Sequence, residues 1–330
     1  MMAGVVRRAG RRVAVAVLMV CLGGVLHAQT RVTLVGTGGP ELTPDRHGEA
    51  TLIEADGQKL LFDAGRGVLD GLYQSRIVPQ AVTRIFLTHL HSDHIEGLPG
   101  LWMTPWFLLG RTAPLEVWGP AGTAAMIDGM RAMYAHDLAT RPNASLSADA
   151  LRVVVHEIHA GVAYESGGVR VTAIPVEHAD GDPAFGYRVE TGQSSILLTG
   201  DCTWSGELAR EAGPVDLVIS NVAAAAPELA ATARMRPILA KLMSPEQAAQ
   251  LFKNTQPRLA VYSHIVKKGL PGAPGDETIV RRTRGGGYGG PLLIGSDHTT
   301  IVLGILPGAT IRIEHPAGKL PEFDGPDSHF

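Results

Sequence analysis

Cysteine is almost absent from this sequence. Among the 330 residues only Cys21 and Cys202 are cysteines, and only Cys202 lies beyond the N-terminal segment discussed below. A mature chain without Cys21 has no internal disulfide, so its stability must come from its hydrophobic core and from any bound metal. Apolar residues make up 45% of the chain, which is ordinary for a globular protein and enough for a sizeable core.

An excess of positive charge is also missing. The formal net charge is −3 at pH 7. Residues 1–28 contain four arginines and no acidic residue, so removing this segment changes the formal net charge from −3 to −7. Proteins that hold a long polyanion normally carry the opposite sign. We therefore expect a small-molecule substrate and no nucleic-acid partner.

Residues 1–28 have the composition of a secretory signal peptide. Arginines form a cationic start, residues 13–26 are almost wholly apolar, and His27-Ala28 offers a cleavage point. The apolar run is too short for a stable membrane anchor. We therefore predict export to the periplasm or the medium, one folded domain over residues 29–315, and a loose tail over residues 316–330. The sequence leaves open whether the chain forms a homodimer.

Four metal-binding side chains lie within six residues. His89, His91, Asp93 and His94 follow the apolar run 84–88, which has the character of a buried strand. His89 and His91 alternate by two residues and can share one ion, while Asp93 and His94 can turn toward a second. Neutral imidazole together with carboxylate suits zinc and other first-row divalent ions. This spacing is more typical of a metal site than of ordinary loop residues.

Three further strand-like runs end at a residue that can bind metal: His178, Asp201 and His264. Ligands at the ends of several strands are held in fixed geometry by a rigid sheet. Asp63 follows another such run, and we interpret it as a buried carboxylate that braces the site rather than binding metal. Four other histidines are interpreted as structural or exposed: His47, His156, His159 and His298.

Aromatic residues are scarce, at 5% of the chain, yet several follow the metal motif closely. Residues 98–109 have helical character despite two prolines, and residues 121–139 form a clearer helix. Four side chains from these helices could line a substrate pocket: Trp102, Trp106, Phe107 and Tyr134. Aromatic residues at helical spacing are equally typical of packing against a sheet, so the periodicity does not decide between the two.

The motifs resemble those of the metallo-β-lactamase superfamily, and within it those of the ribonuclease Z-like branch, which includes enzymes acting on phosphodiesters and on aryl sulfate esters. The resemblance extends from about Arg31 to Ile305. It is carried by the segments V-G-T-G-G-P, L-L-F-D-A-G-R-G, T-H-L-H-S-D-H-I-E-G, P-L-E-V-W-G-P-A-G, A-F-G-Y-R-V-E and L-L-T-G-D. It implies an α/β fold of the αββα type, in which two mixed sheets lie face to face, helices cover the outer faces, and metals bind at one edge.

The resemblance also implies a role for each site residue. It assigns His89, His91 and His178 to one ion, Asp93, His94 and His264 to the second, Asp201 to both, and Asp63 to bracing the site. The two divalent ions would be Zn²⁺ by preference, with Mn²⁺ or iron as alternatives. They would activate a shared hydroxide for attack on an ester, with Asp93 as the catalytic residue that orients it or takes its proton.

The leading hypothesis is an exported dinuclear hydrolase of a small ester, with a phosphodiester first and an aryl sulfate ester second. The alternatives are a lactonase or β-lactamase, an iron-dependent oxygenase or persulfide-oxidising enzyme, and a binding protein with a vestigial site. Pre-tRNA cleavage is not expected, because tRNA-processing members carry a His-Glu-Ala-Thr-like segment where this chain has S-N-V-A-A-A at residues 220–225. No basic arm lies between His94 and His178 either. Cys202, beside Asp201, is interpreted as a buried core residue rather than a redox thiol.

Overall fold

The computed structural model describes residues 29–143, 145–192, 194–304 and 310–317. The predicted leader and residues 318–330 of the predicted tail lie outside these ranges. Among the described residues no helix is long and apolar enough to cross a membrane.

The described chain contains both strands and helices. The strands are β1 (Thr30–Gly36), β2 (Ala50–Ala55), β3 (Gln58–Phe62), β4 (Arg84–Phe86), β5 (Leu115–Gly119), β6 (Val153–Glu157), β7 (Gly161–Ser166), β8 (Val169–Val176), β9 (Ala184–Glu190), β10 (Ser195–Leu198), β11 (Leu217–Ala225), β12 (Leu259–Lys268), β13 (Leu292–Ile294), β14 (Thr299–Leu303) and β15 (Arg312–Glu314). The helices are α1 (Val68–Gln74), α2 (Ser92–Ile95), α3 (Leu98–Phe107), α4 (Thr123–Met133), α5 (Ala135–Thr140), α6 (Gly206–Ala212), α7 (Pro227–Ala230), α8 (Met235–Ala240), α9 (Pro245–Thr255) and α10 (Gly272–Gly285).

The strands form two mixed sheets. The first has the order β15-β14-β1-β2-β3-β4-β5-β6 and the second the order β13-β12-β11-β10-β9-β8-β7. In the first sheet β1, β2 and β3 pair antiparallel, whereas β3 to β6 pair parallel. In the second sheet β8, β9 and β10 pair antiparallel, whereas β10 to β13 pair parallel.

Three apolar layers hold the sheets and helices together. Side chains of both sheets, including Phe62, Phe86 and Tyr187, fill the space between them. Helices α1, α3 and α4 cover the outer face of the first sheet, and α6, α9 and α10 cover that of the second. Strand β11 is buried along its whole length, as expected for a strand covered on both faces. The predicted αββα sandwich is confirmed.

Local sequence chemistry accounts for one hairpin and one helix start, and two local predictions need correction. The hairpin of β2 and β3 turns at Asp56-Gly57, where both residues have positive φ, as the favoured two-residue turn requires. Ser244 begins α9 with a complete capping box. The helix predicted over 121–139 is broken at Tyr134, whose backbone leaves the helical region between α4 and α5. The strand predicted to end at His264 continues to Lys268.

The two sheets are joined beside the metal motif. The backbone N–H of Phe185 in β9 donates to the Thr88 carbonyl at 2.9 Å, and the Tyr187 hydroxyl donates to the Leu87 carbonyl at 2.6 Å. These bonds cross from the second sheet to the residues that follow β4. The loop carrying the metal motif is therefore fixed to both sheets.

Candidate metal centre

All seven predicted metal ligands converge at one edge of the sandwich. The loop after β4 and the short helix α2 supply four of them, and β8, β10 and β12 supply the others. We call this group the metal centre; it comprises His89, His91, Asp93, His94, His178, Asp201 and His264.

One half of the metal centre is made of three imidazoles. Nε2 of His89 and Nε2 of His178 lie 3.0 and 3.2 Å from Nδ1 of His91. Nitrogen donors around a tetrahedral zinc ion are about 3.3 Å apart, because each is bound at about 2.0–2.1 Å. The spacing of these three nitrogens suits a shared ion.

The other half combines carboxylate and imidazole. Asp93 Oδ2 lies 3.2 Å from His264 Nε2 and 3.8 Å from His94 Nε2. Asp201 lies between the halves: its Oδ1 is 3.0 Å from His264 Nδ1, and its Oδ2 is 3.6 and 3.7 Å from Nε2 of His94 and of His178. A single carboxylate therefore faces ligands from both halves.

Three buried atoms of the centre make no hydrogen bond, namely His94 Nε2, Asp201 Oδ1 and His264 Nδ1, although the last two lie 3.0 Å apart. Buried polar atoms are normally paired, so a converging set of unpaired donor atoms is the arrangement expected of cation ligands. Nitrogen and oxygen donors in this number fit divalent ions of the zinc type. The residues present therefore suit the metals that the fold implies.

The charges within the centre also favour metal binding. Burial, followed by the neighbouring imidazoles, lowers the pKa of His89 and keeps the ring neutral, which is the form that ligates metal. Burial opposes ionisation of Asp201, but His264 and His94 outweigh it and lower the pKa of this carboxyl. An ionised Asp201 and a neutral His89 are thus present together, whereas burial of His94 is outweighed by the charges of Asp63 and Asp201, which raise the pKa of that ring, so it must lose its proton when metal binds.

Asp63 braces one ligand from behind. Its Oδ2 accepts a hydrogen bond from His94 Nδ1 at 2.8 Å, and its Oδ1 accepts one from the Thr88 backbone N–H at 2.8 Å. The bond to Nδ1 leaves Nε2 of His94 facing the centre. The structure places Asp63 where the sequence interpretation put it, outside the ligand shell.

His178 is braced by a residue that the sequence analysis missed. Its Nδ1 donates to the backbone carbonyl of Lys241 at 2.9 Å, which leaves Nε2 for the metal centre. A neighbouring side chain, Asn221, donates to the Gly200 carbonyl at 2.7 Å and accepts from the Met243 N–H at 2.8 Å. The chain after β11 is therefore tied to the turn that carries Asp201.

His264 is presented by a β-bulge. Ser220 pairs with Tyr262 and Val222 with Ile265, so Ser263 and His264 oppose the single residue between them. His264 has a φ of 44°, and the extra residue shifts the alternation of side chains along β12, so His264 lies on the same face as Val266 and Lys268. No residue type in the sequence distinguishes this bulge from the end of a strand.

Glu49 supports the bulge and was also missed. This buried side chain accepts hydrogen bonds from the Ser263 hydroxyl and from the His264 backbone N–H, the latter at 2.9 Å. Burial raises the pKa of Glu49 to about 7, although the hydrogen bond from Ser263 opposes the shift. The available signal in the sequence was a carboxylate directly before the mainly apolar strand β2.

A cavity of about 290 Å³ opens over the metal centre. Five of the seven ligands line it, namely His91, Asp93, His178, Asp201 and His264. The rest of its wall comprises Pro40, Glu41, Ser92, Ile238, Lys241, Leu242, Val266 and Lys268. None of the four aromatic residues proposed for a pocket is part of this wall.

The prediction that four aromatic residues line a substrate pocket is wrong, because α3 and α4 pack these residues against the first sheet. Trp102 and Trp106 are only 1% exposed and lie in the core against the first sheet, where their ring N–H groups donate to the carbonyls of Leu151 and Ser147. Phe107 and Tyr134 pack on the same core. These rings stabilise the outer helical layer, because their apolar faces meet the sheet rather than the cavity.

The four histidines that were interpreted as structural or exposed lie apart from the metal centre. His47 and His298 form a separate group with Asp297, whose Oδ2 is 3.2 Å from His47 Nδ1. His156 in β6 stacks on Trp118, and His159 is exposed. Their placement agrees with the interpretation of these residues as structural or exposed.

Cys202 is expected to resist alkylation in the folded protein. Its side chain is fully buried, and burial raises the pKa of the thiol to about 12, so almost no reactive thiolate exists at pH 8. Mass spectrometry after iodoacetamide treatment should show labelling more than about 1,000-fold slower in buffer than in guanidinium chloride. Rapid labelling of the folded protein would instead identify an accessible, redox-competent thiol.

The chain is similar in sequence and in fold to known metal-site proteins of one superfamily. The family model of the β-lactamase superfamily domain matches residues 58–265. A ribonuclease Z of Mycobacterium sp. (strain KMS) is 33% identical over 293 residues, covering 87% of this chain and 99% of the relative. Among solved structures, the human short-form tRNase Z has a TM-score of 0.63 at 22% identity and covers 84% of this chain and all of its own. The metallo-β-lactamase fold protein YhfI from Bacillus subtilis has a TM-score of 0.63 at 15% identity, covering 82% of this chain and 98% of its own.

Proposed function

Because the chain belongs to the metallo-β-lactamase superfamily and is a hydrolase of its ribonuclease Z-like branch, we propose that it hydrolyses a small phosphodiester with the help of two divalent ions. Zn²⁺ is the favoured ion, since imidazole and carboxylate donors dominate the metal centre. We also propose that residues 1–28 direct export, so that the enzyme acts in the periplasm or the medium.

The observation that carries this proposal is the cavity over the metal centre. Its volume of about 290 Å³ is close to the lower limit for pockets that enclose small molecules. The floor is formed by metal ligands, and two lysines stand at its wall. Such a site can hold one compact anionic ester beside the ions.

The ions and the side chains would contribute different parts of the reaction. Two divalent ions held by the metal centre would supply a water of lowered pKa and would stabilise negative charge that develops on the attacked group. Asp93 faces the cavity and can orient that water or take its proton. Burial opposes ionisation of Asp93, but the hydrogen bond with His264 and the charge of His94 outweigh it and lower the pKa of this carboxyl, so it is ionised at neutral pH.

Pre-tRNA cleavage is the second candidate, favoured by the relatives named ribonuclease Z. Two features of this chain support the small ester instead. The segment 220–225 contains no histidine, and β11 buries all six of its residues. In addition, the described residues between His94 and His178 fold as helices and strands of the first and second sheets rather than as an extended arm.

Turnover of bis(p-nitrophenyl) phosphate tests the proposal. The zinc- or manganese-loaded protein should release nitrophenolate, and a chelator should abolish the reaction. Replacing a bracing residue around a metal typically costs 10- to 100-fold, so His91→Ala, which removes a ligand, should cost at least about 100-fold. His159→Ala is the matched control on an exposed histidine.

The result that would overturn the proposal is the absence of turnover with metal bound. Efficient cleavage of a pre-tRNA under the same conditions would establish the second candidate. Aryl sulfates, lactones and β-lactams are the remaining substrates to assay, because each contains an electrophilic centre that a hydroxide at the same metal centre could attack.

A further inference from the structure

Two lysines stand at the mouth of the cavity over the metal centre. Lys241 ends helix α8, and Lys268 ends strand β12. His264, Val266 and Lys268 alternate along β12 and line the same cavity, as expected for side chains on one face of a strand. Lys267 lies between them on the opposite face, where its Nζ is 2.6 Å from Asp276 in α10.

Each of the two lysines is paired with a carboxylate at the rim. Nζ of Lys241 lies 2.9 and 3.1 Å from the two carboxylate oxygens of Asp180. Lys268 forms the corresponding ion pair with Glu41. The Asp180 side chain is 67% exposed, and exposed ion pairs contribute little to stability. An anion that enters the cavity can therefore replace Asp180 at small cost, whereas the side chains of Lys268 and Glu41 are only 23% and 28% exposed.

Lys241 is positioned directly beside the metal centre. Its backbone carbonyl accepts the hydrogen bond from His178 Nδ1, and its side-chain partner Asp180 has Oδ1 3.9 Å from His91 Nε2. The ammonium group of Lys241 is thus held near His91 and His178, which are two of the predicted metal ligands. The apolar side chains of Ile238, Leu242 and Val266 line the same cavity.

We propose that Lys241, together with Lys268, binds a second anionic group of the substrate, separate from the phosphodiester that is cleaved. This inference rests on the proposed function. It narrows the substrate class to small phosphodiesters that carry a further phosphate or carboxylate, with an apolar body that lies along Ile238, Leu242 and Val266. Lys241 and Lys268 are then specificity-determining residues. Until the substrate enters, their ammonium groups form ion pairs with Asp180 and Glu41.

Two nitrophenyl esters that differ by one phosphate test this inference. The probes are thymidine 5′-(p-nitrophenyl phosphate) and the same compound with a 3′-phosphate. For the zinc-loaded protein, kcat/KM should be about tenfold higher for the 3′-phosphorylated ester, as one charge-assisted contact provides. Lys241→Met should abolish this preference while keeping the backbone carbonyl that holds His178, and Lys241→Arg should restore most of it.

Two control variants separate this role from a general effect of charge. Lys267→Met removes the same charge from the opposite face of β12, so the preference should stay at the wild-type value. Asp180→Asn frees the ammonium of Lys241, so the preference should increase. Equal kcat/KM values for the two esters in the wild-type protein, or an unchanged preference in Lys241→Met, would overturn the inference.

A binding measurement keeps this test independent of the proposed reaction. Calorimetry on the zinc-loaded protein compares thymidine 3′,5′-bisphosphate with thymidine 5′-phosphate. The wild-type protein should bind the bisphosphate about tenfold more tightly than the monophosphate. Lys241→Met should bind the two ligands with about equal affinity. If neither ester is hydrolysed, the proposed function fails, and this comparison alone decides whether Lys241 recognises a second anion.

Discussion

Replacing Asp201 with asparagine is expected to remove one of the two proposed metal ions and to lower turnover of bis(p-nitrophenyl) phosphate by about 1,000-fold. Asp201 is the carboxylate that faces both halves of the metal centre, with one oxygen toward His264 and the other toward His94 and His178. In asparagine an amide nitrogen replaces one of these oxygens and cannot bind a cation. The remaining ligands must also hold two cations with one negative charge fewer between them.

Elemental analysis by mass spectrometry, with the kinetics, measures this effect. The wild-type protein should contain about two equivalents of zinc, and Asp201→Asn about one or fewer. Asp128→Asn, an identical change at an exposed position in α4, should keep both zinc and activity. Retention of two ions and full turnover by Asp201→Asn would refute the bridging role.

Replacing Trp106 with alanine should lower the free energy of unfolding by about 3–5 kcal/mol, because the largest apolar side chains leave the largest cavities when truncated. Trp106 is 1% exposed, packs between α3 and the first sheet, and donates its ring N–H to the Ser147 carbonyl at 3.0 Å. No part of its side chain lines the cavity over the metal centre. The KM for bis(p-nitrophenyl) phosphate should therefore change less than about twofold at a temperature where the variant is folded.

Urea unfolding gives the free energy, and steady-state kinetics give KM. Met133→Ala, at a side chain in the same helical layer that is 65% exposed, should change stability by less than about 0.5 kcal/mol. A large increase in KM with little loss of stability would restore Trp106 to a substrate pocket. The two quantities thus separate a core residue from a binding residue.

The geometry of the metal centre also depends on groups that do not face the cavity. Asp63 holds His94, the Lys241 carbonyl holds His178, and Glu49 holds the bulge at His264. Each bond fixes a ring or a backbone segment before metal arrives, so less conformational freedom is lost on binding. This explains why two buried carboxylates, Asp63 and Glu49, lie behind the site.

The metal motif could be predicted from the sequence because its ligands are local. His89, His91, Asp93 and His94 lie within six residues after an apolar run, and residue types alone identify imidazole and carboxylate donors. The αββα fold could be predicted only through the family resemblance, since strand periodicity does not reveal which strands pair. The Asp56-Gly57 hairpin also depends on local chemistry alone, because the two residues of its turn decide it.

Long-range packing decided what the local pattern could not. The helical spacing of Trp102 and Trp106 is the same whether the rings face a sheet or a cavity, and only the contact with the first sheet determined that they are core. Glu49 is more than 200 residues from the bulge it supports, so no local signal connects the two. Lys241 has no motif around it, and its place beside His178 follows from the path of the chain after β11.

Composition and local spacing by themselves determined the donor types, the presence of a single cysteine beyond residue 28 and the negative formal net charge, because these depend only on which residues are present and how near they are along the chain. The tertiary structure alone determined which side chains share the cavity, which bracing bonds orient the ligands, and which lysines reach the mouth. Those properties arise from contacts between distant segments, and such contacts form only when the two sheets pack face to face and bring the ends of β4, β8 and β10 and the bulge of β12 to one edge.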